Sequence, residues 1–256
     1  EVSVSPKTLT EYAPYVSDDR LEEIRALAEP LRGATVLHLN ATAYGGGVAE
    51  ILGSVIPLLR DLGIEADWQV MDAAPEFFNL TKRMHNALQG MPIEWDDAAA
   101  AQWQETNDQN AAALSGKYDY VYIHDPQPAG ILRSLRKNNP NALGAKWIWR
   151  CHLDTTDAIP EVWGFVRDQI TPYDAVVFTL AEYVKEPLRG PHVEIIWPAI
   201  DPTSAKNADL SDADVRKTLE KFAVDPRRPM IAQISRFDPW KDPLGVLDVY
   251  KSLKEK

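Results

Sequence analysis

Two hydrophobic periodicities take turns along this chain. Thr35-Val36-Leu37-His38-Leu39 is a β-rich run apolar enough for a buried parallel strand, while Val48, Ile51, Leu52, Val55, Ile56, Leu59 and Leu62 recur at helical spacing. Upstream, Leu21, Ile24, Leu27 and Ala28 mark a helix that Pro30 ends, and downstream Gly63 sits where a helix C′ residue belongs. Ile64, Ala66, Trp68 and Val70 then alternate as a second strand, and Pro75–Leu88 reads as a helix closed by Gly90. The alanine- and glutamine-rich run Asp96–Leu114 is helical by propensity, with a polar surface that predicts an exposed helix. Four more strand candidates follow at Tyr118–His124, Lys146–Cys151, Ala175–Leu180 and Val193–Trp197. A polar connector runs from Pro198 to about Ser211, Val215–Phe222 is a short helix, Pro229–Ile234 is again strand-like, and Leu244–Leu253 is an amphipathic helix.

Repeated strand–helix units imply an α/β fold with a doubly wound parallel sheet, right-handed crossovers and ligands bound beyond the carboxyl ends of the strands. The expected organisation is a lead-in helix at 1–33, a strand–helix domain at 34–200, a linker with a short helix at 201–228, and the start of a second domain at 229–256. One strand and one helix cannot close a second domain. Together with the initial Glu1 in place of methionine, this makes the expectation a fragment truncated at both ends and inactive by itself.

Composition narrows the partners. The 256 residues carry 27 Lys plus Arg against 38 Asp plus Glu, a net charge of −11 that repels nucleic acid unless a local basic patch overrides it, and the sequence shows no such patch. Cys151 is the single cysteine, which excludes an intrachain disulfide and suits a reducing compartment. No signal peptide is visible and no apolar run approaches the ~20 residues of a bilayer span. The expectation is a cytoplasmic protein that binds neither nucleic acid nor membrane.

The chemistry gathers at the predicted strand ends. Asn40-Ala41-Thr42-Ala43-Tyr44-Gly45-Gly46-Gly47-Val48-Ala49-Glu50 joins strand to helix through three glycines, which accept φ > 0 and let N–H groups point together at a helix N-terminus, a site for an anion such as phosphate. The plain alternative is a tight turn without a ligand. His124-Asp125-Pro126-Gln127-Pro128 follows a strand with two prolines that force an extended turn, leaving Asp125 either to accept from sugar hydroxyls or to cap the next helix. Arg150-Cys151-His152 repeats the pattern, and no histidine or cysteine has zinc-ligand spacing. Arg236 and Lys241 flank a Phe-Asp-Pro-Trp turn and suit a diphosphate or phosphate; the alternative is surface pairing with Asp238 and Asp242.

These motifs, with Glu76-Phe77-Phe78-Asn79 and His85-Asn86-Ala87-Leu88-Gln89-Gly90 between them, resemble in order and spacing the trehalose-forming glycosyltransferases, meaning the glycosyltransferring trehalose synthases and the retaining trehalose phosphorylases, from about residue 34 to the end. The resemblance implies a GT-B fold of two Rossmann-like domains and transfer of glucose from a nucleoside-diphosphate glucose to glucose with retention, without metal or other cofactor. It implies glucose or trehalose as the remaining partner and leaves a homodimer open. By the same resemblance, Gly45, Gly46 and Gly47 correspond to the loop at the donor phosphates, and Asp125 with His124 and Gln127 to the acceptor-binding set. His152 resembles the histidine beside the transferred sugar, and Arg236 and Lys241 the pair that neutralises the leaving diphosphate. The acidic motif that holds the donor ribose has no counterpart in this chain. A phosphorylase using the same cations for inorganic phosphate is the close alternative, a silent sugar-binding module the distant one, and a dinucleotide-dependent oxidoreductase is disfavoured because three adjacent glycines are not G-x-G-x-x-G.

Overall fold

The computed structural model describes residues 1–138, 144–185 and 188–255. They form two compact units, Glu1–Ala205 and Lys206–Lys256. The first is built on a six-stranded, wholly parallel sheet of β1 (Thr35–Asn40), β2 (Glu65–Val70), β3 (Tyr120–His124), β4 (Lys146–Arg150), β5 (Ala175–Phe178) and β6 (His192–Ile195), in the order β2-β1-β3-β4-β5-β6. Its helices are α1 (Asp18–Ala28), α2 (Gly47–Asp61), α3 (Pro75–Leu88), α4 (Asp97–Ala113), α5 (Ile131–Asn138) and α6 (Pro160–Ile170). The strand order reverses direction between β1 and β3. In an open parallel sheet that reversal leaves a crevice beyond the strand ends, because the two neighbouring connections depart to opposite faces.

The two faces differ in chemistry. Leu37 and Leu39 of β1, Val121 and Ile123 of β3, Trp147 and Trp149 of β4, and Val176 and Phe178 of β5 belong to the main core, which takes Phe77, Met84 and Leu88 from α3, Trp103 from α4 and Val162 and Val166 from α6. A smaller cluster on the other side holds Leu52 and Ile56 of α2 against Ala66 and Trp68 of β2. The alternate positions of the central strands, His38, Asn40, Tyr122, His124 and Arg150, lie in register on this second face and are polar.

α4 departs from the expectation of a mainly exposed helix. Ala99, Trp103, Asn107 and Ala111 recur every four residues and are all buried, so a narrow stripe docks while the polar remainder stays in solvent. The exit of the unit is fastened to its entry. Asp201 accepts from Lys7 Nζ and from Ser54 Oγ of α2 at 2.6 Å, and Thr203 donates its N–H and hydroxyl to Asp201 Oδ1 at 2.9 and 2.7 Å.

The second unit contains α7 (Asp212–Lys221) and α8 (Pro243–Lys254), capped by the side chains of Ser211 and Asp242. Pro229–Ile234, expected as a strand, is not one. β-structure needs a neighbour to take its N–H and C=O groups, and among the described residues no strand pairs with this run; Ile234 is fully exposed. No described helix is long and apolar enough to cross a membrane.

Candidate functional site

Parallel pairing sends the carboxyl ends of β1, β3 and β4 to one edge of the sheet, and with them the glycine loop, the His124-Asp125 turn and the Cys151-His152 turn. Asn40 anchors the first of these. Its Oδ1 accepts from Trp68 Nε1 at 2.8 Å and its Nδ2 donates to Thr42 O at 2.7 Å, which fixes where the loop leaves the sheet. Gly45 lies at φ +72°, the left-handed region that favours glycine, and no neighbouring atom crowds the Cβ side of Gly45, Gly46 or Gly47. The first turn's N–H groups have no acceptor in their own helix, and Glu50 N, bonded to Gly46 O at 3.2 Å, begins the ladder.

Asp125 is held from three directions. Its N–H donates to Arg150 O at 2.8 Å, its carbonyl accepts from Trp149 Nε1 at 2.8 Å, and its Oδ1 accepts from the His152 N–H at 2.8 Å. The carboxyl therefore points across to the β4 turn instead of capping α5. Its backbone sits at φ +65°, a left-handed conformation that Asp tolerates better than most residues. The residue keeps some exposed surface, but desolvation of the carboxyl raises its pKa to about 7, against the opposing pull of the His152 N–H and the Arg150 cation.

Three histidines run across the strand ends. His38 Nδ1 meets His124 Nε2 at 3.0 Å, and His124 Nδ1 meets His152 Nε2 at 3.0 Å. Tyr122 lies against two of the rings, with centroids 5.1 Å from His38 and 5.3 Å from His124. Burial, reinforced by Arg150, lowers His38 to about 4 and His152 to about 3, and burial with the neighbouring rings drives His124 well below its ordinary value. All three are neutral near pH 7. Both ring nitrogens of His124 are occupied, which corrects its expected role: it has none left for an acceptor sugar. Among the described residues, no group of three or more His, Cys, Asp or Glu is arranged to hold a metal ion.

Gln127 keeps a buried Oε1 without a protein partner, while its carbonyl accepts from Asn107 Nδ2 at 3.0 Å. Asn107 also accepts from Gly130 N at 3.1 Å, so the stripe of α4 holds the loop that carries Gln127. Arg150 Nε is likewise buried and unpartnered, with Nη2 donating to Ile196 O at 3.3 Å.

A family model described as the trehalose synthase N-terminal domain matches residues 38–185, more than half of the chain and the whole run from His38 through His152. The chain belongs to this family. A trehalose synthase of Thermococcus litoralis is 46% identical over 252 residues, which cover 98% of this chain and 60% of the relative. A trehalose phosphorylase of Pleurotus pulmonarius is 26% identical over 94% of this chain and 37% of its own. A solved structure described as trehalose-6-phosphate from E. coli bound with UDP-2-fluoro glucose aligns at a TM-score of 0.54 and 12% identity, over 74% of this chain and 55% of that one. That likeness concerns the fold, and with the parallel sheet it makes the fold GT-B in type. The chain spans about 60% of the length of the trehalose synthase it matches.

Of the expected site residues, the structure joins His124, Asp125 and His152 by direct contact and sets the glycine loop and Gln127 on the same edge of the sheet. Arg236 and Lys241 belong to the second unit. There Arg236 pairs with Asp238 at 3.1 Å, while Asp242 caps α8 through Gly245 N at 3.0 Å. Neither cation follows a strand. Arg150 stands out in the sequence beside His152 at a strand end, whereas His38 and Tyr122 do not stand out there as members of the site. A period-two reading of β1, β3 and β4 was the available signal, since His38, Tyr122, His124 and Arg150 all fall on the face opposite the apolar one.

Proposed function

We propose that this protein is a retaining glucosyltransferase that forms or reversibly cleaves α,α-trehalose, with a nucleoside-diphosphate glucose as donor and glucose as acceptor. The observation that carries the reading is the family match over residues 38–185, which contains the glycine loop, Asp125 and His152 on one edge of the sheet. Gly45, Gly46 and Gly47 are assigned to the donor phosphates, since open N–H groups at a helix N-terminus favour an anion. Asp125 and the unpartnered Oε1 of Gln127 are assigned to acceptor hydroxyls, because both are acceptors and the second has no partner in the protein. His152 is assigned to the transferred sugar, and His124 to holding His152.

The chemistry asks for little more from the first unit. Breaking the bond to the leaving phosphate places negative charge on the departing oxygen and positive charge on the sugar, so fixed N–H donors and cations lower the barrier without a protein nucleophile. Arg236 and Lys241 are assigned to the leaving diphosphate. Assays of the full-length protein with trehalose plus UDP or ADP, and separately with trehalose plus inorganic phosphate, test the proposal. Formation of a nucleoside-diphosphate glucose supports it, glucose 1-phosphate from inorganic phosphate replaces it with a phosphorylase, and no product from either removes it.

A further inference from the structure

We propose that His38 and His124 are positioning residues for His152: the three rings form one head-to-tail chain in which all share the same tautomer, so the buried end on β1 sets whether His152 offers a sugar hydroxyl an N–H or a lone pair. This deepens the assignment of His152 to the transferred sugar and rests on it.

The argument is one of proton counting. A neutral imidazole has one N–H and one lone pair, and two adjoining ring nitrogens 3.0 Å apart share a single proton between them. Both contacts run in the same sense, Nδ1 of one ring to Nε2 of the next. Suppose that His124 carries its proton on Nε2. Then His38 Nδ1 must accept, which puts the His38 proton on Nε2. His124 Nδ1 is now a lone pair, so His152 Nε2 must donate. All three are Nε2–H, and the nitrogen left over at the outer end, His152 Nδ1, is an acceptor. Reversing the first choice makes all three Nδ1–H and turns His152 Nδ1 into a donor. A mixed state sets two lone pairs, or two protons, against each other, and a buried polar group left without a partner is costly.

The surroundings keep the chain in this regime. His38 and His124 are buried, whereas His152 retains some exposure, so the chain has an inner and an outer end. Arg150 disfavours an added proton on any of the rings. Tyr122 packs along His38 and His124 with interplanar angles of 13° and 26°, which limits ring rotation. His38 stands within β1, His124 ends β3 and His152 lies two residues beyond the end of β4, so the fold itself sets the spacing.

The experiment is long-range ¹H–¹⁵N correlation of the full-length protein labelled at histidine, combined with kinetics. In the wild type, His38, His124 and His152 are expected to show the same protonated nitrogen; different positions on His38 and His152 overturn the proposal without any variant being made. In His38→Leu, His152 is expected to lose its single tautomer, with turnover falling about tenfold while donor KM changes little. His38→Asn, whose amide reaches the place of Nδ1, is expected to recover most of both. An unchanged His152 spectrum in a folded His38→Leu protein also overturns the proposal. Wild-type protein that transfers glucose but shows uncoupled tautomers sinks the chain alone; wild type with coupled tautomers and no glucosyl transfer sinks the functional reading alone.

Discussion

At Asp125 the backbone and the carboxyl are both held away from their relaxed states. A left-handed φ in a non-glycine residue costs on the order of 1–3 kcal/mol, less for Asp, and the three hydrogen bonds to Arg150, Trp149 and His152 hold the residue there. The raised carboxyl pKa has a definite sign in stability. From about pH 4 to about 7 the folded chain keeps a proton that the unfolded chain has released, so stability falls as pH climbs through this window. The neutral histidines act oppositely, since the unfolded chain is charged below about pH 6.5 while folded His38 stays neutral to about 4. Variant and wild type must therefore be compared at each pH. Asp125→Asn keeps the oxygen that accepts from His152 and tolerates the same φ; its melting temperature is expected to exceed the wild type's at pH 8 and to match it at pH 4. A constant difference across that range would show that the carboxyl does not titrate as described. At pH 8, where the carboxyl is ionised, the same substitution is expected to lower kcat/KM for the acceptor on the order of 10- to 100-fold, through loss of charge-assisted acceptance.

Among the elements, α4 shows how a helix with little net amphipathicity still docks with precision. Gly130 packs against it so closely that an added Cβ would lie 2.6 Å from the Trp103 ring, and Trp103 is fully buried. Gly130→Ala is expected to destabilise the first unit by about 1–3 kcal/mol through overpacking, read as a lower denaturant midpoint. An unchanged midpoint would mean that α4 shifts freely, and Gln127 with it. This contact was not legible in the sequence, because alanine and glutamine carry little hydrophobic contrast and the stripe rests on Trp103 and a buried Asn107. The strands were legible, since alternate residues such as Val121 and Ile123 of β3 and Val176 and Phe178 of β5 pack in the buried core. Pro229–Ile234 failed as a strand for the complementary reason: composition favours an extended chain, but pairing is supplied by a neighbour. The site was half legible. Asp125 and His152 announce themselves at strand ends, whereas His38 sits inside a run whose apolar neighbours point the other way.

For the molecule as a whole, Asp201 and Lys241 put the division into units to work. Burial opposes the charge of Asp201, but hydrogen bonds from Lys7, Ser54 and Thr203 outweigh it and hold the carboxyl well below its usual range. That stabilisation is present above pH ~4 and fades as the group is protonated below it. Asp201→Ala is expected to cost about 1–3 kcal/mol at pH 7, with amide exchange rising at residues 2–9 and 198–204. Exchange confined to the substituted loop would show that the N-terminal segment is held elsewhere. Lys241→Ala, at an exposed position of the second unit, is expected to reduce turnover of the full-length protein about 10²-fold with an almost unchanged melting temperature. A lowered melting temperature with turnover preserved would instead assign the lysine to packing. The Asp201 contact has a topological meaning too. Lys7 and Asp201 stand 194 positions apart yet touch, so the first unit is a ring whose two ends are already side by side. Its order along the chain is then one choice among several: a permuted unit joined near residues 7 and 201, and opened at the exposed turn 115–117 before β3, keeps every strand neighbour and leaves the edge that bears Asp125 and His152 uncut.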